Sequence, residues 1–314
     1  MNLCFALNLF LQLLGTAPSA VGPDNLSDTE LLTRYPVIAE VAVTLLALGV
    51  ICILYVLFRY GRPRPADGSD SPSATFKVDP KPWDLRDLWF ITGVLVLVLL
   101  AGNAITALIL KLAHVDEDGS LPWLLVTDML LRLTILGGFV AFFRQRGIDW
   151  HQALGLRRNS SLEAIGSGVV FFLAVLPPLA VMFAGFSKLC QLVGIPDNPQ
   201  PIADILATSD SKFVVALITG FAVAIAPVFE EFFFRGFAYP VLKQRWGMWP
   251  ALLTVSLVFA IIHFHVPSLG PLLVLGLGLA LAYELSGSLL APITMHALFN
   301  AANVAMLLYV RAHP

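Results

Sequence analysis

The sequence predicts an all-α membrane protein: a bundle of about eight transmembrane helices with a polar cavity among the carboxy-terminal helices. Hydrophobic residues make up 58% of the 314 positions and charged residues only 13%, whereas about a quarter of a soluble domain is charged. Hydrophobic stretches of about 20 residues, the length that crosses a hydrocarbon core, recur along the chain. Several ionisable side chains lie inside the carboxy-terminal members of this set of stretches.

Eight stretches of the chain are candidates for membrane spans. They lie near residues 37–58, 88–110, 122–143, 164–186, 213–242, 248–264, 268–285 and 289–310. The sixth and seventh are short and are separated by Pro267 and Gly270, so we expect a tight pair of helices there. No internal repeat indicates a bundle built by duplication.

We divide the chain into four parts. Residues 1–36 form an amino-terminal segment that only weakly resembles a signal peptide, because its apolar stretch is short and no basic residue precedes it. Residues 37–87 contain the first transmembrane helix and a flexible linker rich in Pro, Ser, Gly and Asp. Residues 88–211 form the first half of the membrane bundle, and residues 212–311 form the helices with buried polar side chains.

The charges of the loops predict the orientation of the bundle. Basic residues cluster between the first and second spans, between the third and fourth, and after the fifth, while the intervening loops are acidic. Because cytoplasmic loops carry an excess of Lys and Arg, we expect both termini on the outer side.

Composition also excludes several kinds of partner and site. With 19 basic and 21 acidic residues the chain has no strongly basic face, so we expect membrane lipids and no nucleic acid as partners. The three cysteines, Cys4, Cys52 and Cys190, are far apart and form no CxxC motif. Neither a disulfide framework nor a structural zinc site is therefore indicated.

The fifth span carries three ionisable residues, Glu230, Glu231 and Arg235. Such residues are costly in a bilayer unless they are paired or face water, so each suggests a functional role. Glu231 and Arg235 are four residues apart and share a helix face, which predicts an orienting ion pair. Glu230 lies about 100° further round and has no cation of its own on that helix. This arrangement suits a general base or acid.

Two later spans add histidines and an amide. His263 lies at the end of the sixth span, and His296 and Asn300 lie four residues apart in the eighth. If these side chains share a pocket with the fifth span, Glu230 and His263 could deprotonate a water, and His296 and Asn300 could stabilise the resulting oxyanion. Alternatively, Glu230, His263 and His296 could hold zinc or another divalent ion. The sequence leaves both schemes open, and it contains neither an HExxH nor a GxSxG motif.

Three motifs occur in order over roughly residues 212–305: EExxxR at Glu230 to Arg235, FxxxH at Phe259 to His263, and HxxxN at His296 to Asn300. Together they resemble the CPBP family, also called the CAAX protease and Abi family of intramembrane endopeptidases. The resemblance implies that Glu230 activates water with His263, that His296 and Asn300 form the oxyanion side, and that Glu231 and Arg235 are the other fixed positions. It further implies a peptide or lipidated protein as substrate, and we expect a multi-pass protein of a bacterial inner membrane.

Two rival functions use the same residues differently. In an ion-coupled transporter, Glu230, Glu231 and Arg235 would form a proton or ion relay. A non-catalytic binding or immunity protein would use the pocket only to hold a lipid or peptide, which a fold alone does not exclude.

Overall fold

The computed structural model describes residues 36–60, 78–115, 117–156, 160–196 and 200–313. The weak signal peptide and most of the predicted linker lie outside these ranges. Within them the chain is helical and contains no strand. We number the helices of the described residues in chain order: α1 Pro36–Tyr60, α2 Leu85–Leu112, α3 Glu117–Gln145, α4 Trp150–Ala153, α5 Ser161–Leu192, α6 Pro201–Thr208, α7 Lys212–Trp246, α8 Met248–Ile261, α9 Leu269–Ser286 and α10 Leu290–Ala312.

Among the described residues, seven helices are long and apolar enough to cross a membrane: α1, α2, α3, α5, α7, α9 and α10. This confirms the all-α polytopic bundle. The sixth predicted span differs, because α8 has only 14 residues. It ends before a 3₁₀ turn at Val266–Ser268, which leads directly into α9. Pro267 cannot donate a helical hydrogen bond, which explains the break between the two helices.

Helix α7 contains two π-helical segments. Segments of π-helix at Phe221–Ile225 and Phe232–Ala238 flank an α-helical turn at Ala226–Glu231. Pro227 and Pro240 follow in the turns after these segments, and a proline removes one backbone donor and disturbs the carbonyl before it. Wide π turns are rare and often mark functional sites. The two adjacent glutamates lie between them.

Helix α5 forms the centre of the bundle, and α1, α9 and α10 pack against it. The crossing with α10 is close at Gly168, where a Cβ atom would lie 2.6 Å from the carbonyl oxygen of Ala291. Small residues allow helices in a membrane to approach in this way. Helices α2 and α3 bury little of their surface, so their apolar side chains are available to lipid.

Different polar contacts join the loops and helix ends at each end of the bundle. At one end Asp87 pairs with Arg146, and the backbone of Leu154 bonds that of Leu289. At the other end Gln200 bonds Ser268, and Arg311 bonds the carbonyl oxygens of Leu206 and Ser209. The loops predicted to be cytoplasmic thus gather at the first end, called here the inner end. That this end faces the cytoplasm stays a prediction.

Candidate active site

Glu231 is the centre of a buried polar cluster. Its Oε1 accepts hydrogen bonds from Arg235 Nη1 and His296 Nδ1, each at 2.8 Å. The side chains of Glu231 and Arg235 are fully buried and that of His296 is nearly so. The ion pair predicted from the i, i+4 spacing is therefore present within α7, and the hydrogen bond from His296 to Glu231 connects α10 to α7.

Arg235 extends this cluster towards α8 and α9. Its Nη2 donates to the carbonyl oxygen of Gly276 at 3.0 Å, and its guanidinium lies 4.7 Å from the ring centre of Phe259. A Cβ atom on Gly276 would lie 3.0 Å from Cα of Ser256, so glycine allows α8 and α9 to approach closely. Arg235 is thus held by an ion pair, a backbone acceptor and an aromatic face.

Glu230 has a different environment from its neighbour. Its side chain is 15% exposed, and its Oε2 lies 4.0 Å from His296 Nε2. The Nδ1 proton of His296 is donated to Glu231, which fixes the ring so that Nε2 faces Glu230. Glu230 therefore combines partial exposure with a histidine at short range, while Glu231 is fully buried.

The aromatic ring of Phe259 lies between His263 and this cluster. Its Nδ1 is 2.7 Å from the carbonyl oxygen of Phe259, and because a carbonyl can only accept, Nδ1 carries the proton and Nε2 is an acceptor. The Phe259 ring contacts both His263, at 4.9 Å, and His296, at 5.7 Å between centres. Within the described part of the chain, no hydrogen bond or ion pair joins His263 to Glu230.

Asn300 donates from Nδ2 to the carbonyl oxygen of Ala222 at 2.7 Å. The π-helical winding explains why that carbonyl is available. The N–H of Ala226 bonds Phe221 instead, and Pro227, the next residue, has no N–H. One amide hydrogen of Asn300 is thus used to hold α10 against α7, and the second is left for another acceptor.

The metal hypothesis required Glu230, His263 and His296 to converge as ligands. Among the described residues, no group of three His, Cys, Asp or Glu side chains is placed to hold a metal ion. His296 Nδ1 is engaged by Glu231, and His263 is separated from the pair by Phe259. These side chains as arranged do not fit a zinc site, and we derive no step through a metal.

The structure also reveals a buried polar cluster that sequence reasoning missed. Glu284 in α9 is fully buried and accepts from Tyr239 Oη at 2.5 Å, from Lys243 Nζ at 2.7 Å and from the N–H of Val78 at 3.4 Å. Glu284 lies inside the predicted seventh span. Its position alone was a usable signal, because an acid within a span needs a partner.

Comparison with known proteins agrees with the motifs. The family described as "Rce1-like: Type II CAAX prenyl endopeptidase Rce1-like" matches residues 212–302. No curated protein and no solved structure matches the chain in the same comparisons. The matched segment contains all six predicted site residues, Glu230, Glu231, Arg235, His263, His296 and Asn300. Residues 212–302 of the chain are thus similar to a family of CAAX prenyl endopeptidases.

Proposed function

We propose that this protein is an intramembrane endopeptidase that cleaves prenylated peptides or proteins with a water activated by Glu230. The observation that carries the proposal is the contrast between two adjacent acids. Glu231 is fully buried and bonded to Arg235 and His296, whereas Glu230 is partly exposed and lies 4.0 Å from His296 Nε2. A carboxylate that is held near a histidine but remains accessible suits a general base.

In the proposed reaction, Glu230 accepts a proton from water as the water oxygen attacks the carbonyl carbon of the scissile peptide bond. The carbonyl π electrons move to the oxygen, which becomes an oxyanion. When this intermediate collapses, the carbon–nitrogen bond breaks, and the proton on Glu230 passes to the leaving nitrogen. The products are a carboxylic acid and an amine, and the carboxylate of Glu230 is restored.

Two donors support the oxyanion in this scheme. The second amide hydrogen of Asn300 is not used by Ala222. His296 can donate from Nε2 when its ring is protonated, since Nδ1 already donates to Glu231. We assign Glu231 and Arg235 a positioning role, because Glu231 fixes the orientation of His296 and both side chains are fully buried.

We assign His263 to the water-holding side. Its Nδ1 proton is donated to Phe259, so Nε2 can accept a hydrogen bond from the water or from a substrate N–H. The side chain of Val228 on α7 is exposed and is therefore available to lipid, where a prenyl chain is soluble. Relatives that act on prenylated proteins release the three residues after a lipidated cysteine, and we propose the same cut here.

The test is cleavage of a farnesylated peptide that ends in a cysteine followed by three residues, with the purified full-length protein in lipid. We expect Glu230→Gln and His263→Ala to lower the cleavage rate by at least about a hundredfold, the contribution typical of a general base. The control is His265→Ala. This histidine lies two positions after His263, its Nδ1 is hydrogen-bonded to Ser268 Oγ, and its removal should leave activity intact. Thermal unfolding should be nearly unchanged in all three variants.

Near-normal cleavage by folded Glu230→Gln would overturn the mechanism. Absence of cleavage by the wild-type protein on prenylated and unprenylated peptides alike would argue against the proposed function itself. Metal analysis of active protein, together with a chelator titration, tests the alternative scheme. A stoichiometric metal that is required for activity would show that the water is activated by a metal ion and not by Glu230 alone.

A further inference from the structure

Helix α3 carries an ion pair near the middle of its membrane span that the proposed reaction does not use. Arg132 Nε donates to Asp128 Oδ2 at 2.6 Å, and Asn103 of α2 donates to Asp128 Oδ1 at 3.4 Å. Both charged residues lie well inside Ser120–Gln145. They lie outside residues 212–302, the segment matched by the family. Charged residues at this depth are costly and usually functional.

The pairing leaves most of the guanidinium free. Arg132 uses only Nε, and its two amino groups bond no side chain or carbonyl among the described residues. The Arg132 side chain is also partly exposed, at 21%. A pair whose only role was to hold the bundle together would be expected to satisfy the donors of a guanidinium placed in a membrane. Asp128 instead fixes the direction of the arginine.

The guanidinium lies beside the candidate active site. It is 5.0 Å from the ring centre of Phe229 and 5.3 Å from that of Phe221. Phe229 immediately precedes Glu230, and Phe221 precedes Ala222, the residue whose carbonyl bonds Asn300. Arg132 is therefore held against the same two turns of α7 that position the proposed base and the oxyanion donor.

We propose that Arg132 binds the carboxy-terminal carboxylate of the peptide substrate. This inference rests on the proposed function and identifies the residue that would recognise the end of the substrate. A guanidinium with two free N–H groups matches a carboxylate in bidentate geometry. Asp128 holds the arginine in place and Phe221 and Phe229 shield it, so the interaction takes place in a poorly hydrated environment.

Release of a tripeptide sets how far the terminal carboxylate lies from the scissile bond. Three extended residues span about 10 Å, which is about the width of one helix with its side chains. A peptide whose scissile bond lies at Glu230 would therefore place its terminal carboxylate within about one helix width of that residue, and we propose that Arg132, which contacts the ring of the neighbouring Phe229, lies within this reach. The position of Arg132 would thus select a cut three residues from a free carboxyl end.

The experiment compares two farnesylated peptides of identical sequence, one with a free terminal carboxylate and one with a terminal amide, using full-length protein in lipid. For the wild type we expect a ten- to hundredfold lower kcat/KM for the amide, the effect of losing a charged hydrogen bond. In Arg132→Gln the KM for the carboxylate peptide should rise by a similar factor, and the preference for the carboxylate should disappear. Arg132→Lys should keep part of the preference.

The matched control is Arg146→Gln, which also removes an arginine paired with an aspartate at 2.6 Å, but at the inner end of the bundle. It should keep the carboxylate preference. If the wild type cleaves both peptides equally, or if Arg132→Gln keeps the preference, the inference fails while the proposed function stands. If the wild type cleaves neither peptide nor any other prenylated peptide, the proposed function fails first. A merely structural Arg132 would lower both rates together without changing their ratio.

Discussion

Two glutamates of the carboxy-terminal helices are equally buried but differ in their partners. Glu231 and Glu284 both have fully buried side chains, and each is paired with a cation. In Glu284 both carboxylate oxygens accept hydrogen bonds, Oε1 from Lys243 and Val78 and Oε2 from Tyr239. In Glu231, Oε1 accepts from Arg235 and His296, while the buried Oε2 has no partner among the described residues.

Under the proposed mechanism, this difference separates a structural acid from one that supports chemistry. The donors around Glu284 are a lysine, a phenol and a backbone N–H, and they tie the segment before α2 to α7 and α9. Glu231 shares its bonds with a histidine, and that histidine faces a second, accessible acid at 4.0 Å. Burial and charge are therefore poor guides to function in this protein, whereas the nature of the partner distinguishes the two sites.

The largest expected effect comes from Glu231→Ala. Removing this acid leaves Arg235 buried without its counter-ion and releases His296, so we expect a loss of about 3–5 kcal/mol in unfolding free energy and loss of cleavage. Thermal unfolding in detergent and the cleavage rate per folded molecule measure the two effects. Unchanged melting would mean that the ion pair contributes nothing.

A smaller effect is expected from Glu284→Gln, which keeps the shape of the side chain and removes its charge. The hydrogen bonds of Lys243 and Tyr239 weaken, and we expect destabilisation of about 1–3 kcal/mol. The cleavage rate of the folded fraction should remain close to that of the wild type. A loss of activity as large as that of Glu231→Ala, at temperatures where the protein is folded, would show that the two sites are not separate in function.

The sequence predicted local relations much better than distant ones. The Glu231–Arg235 pair follows from a spacing of four residues on one helix, and the motif positions follow from short patterns. The position of Glu284 in a span was visible in the sequence, but its pairing was not predictable from spacing, because Tyr239 and Lys243 are more than forty residues away. The bond from Asn300 to Ala222 depends on a π turn that no composition or periodicity signals. Asp128 and Arg132 lie in the third predicted span but were not among the predicted functional residues, and their pairing is seen only in the structure.

The sequence also did not predict the length of α8 correctly. The apolar run continues through Ile262 and Phe264, so the pattern extended the span to residue 264, whereas the helix ends at Ile261. Phe264 has a positive φ of 49° and a largely exposed side chain. His263 therefore lies in the turn that follows α8, and its Nδ1 is bonded to the carbonyl oxygen of Phe259.

The smallest expected effect comes from Trp83→Phe, which tests the structural role assigned to the contacts around Glu284 at a second residue. Trp83 anchors the same segment as Val78: its Nε1 donates to the carbonyl oxygen of Phe237 at 3.1 Å, and its ring stacks on Phe237 at 5.5 Å. Trp83→Phe keeps an aromatic ring but removes the hydrogen bond, so we expect a loss of about 0.5–1.5 kcal/mol. Thermal unfolding measures this change.

Combining Trp83→Phe with Glu284→Gln sharpens the same comparison. Both substitutions loosen the attachment of one segment to α7, so their effects on stability should fall short of additivity, as expected for sites that share an element. The cleavage rate of the folded double variant should stay near that of the wild type, because the bonds of Glu231 to Arg235 and His296 do not involve this segment. If Trp83→Phe alone abolishes cleavage in folded protein, the segment at the inner end takes part in forming the active site, and Glu284 must be counted with Glu231.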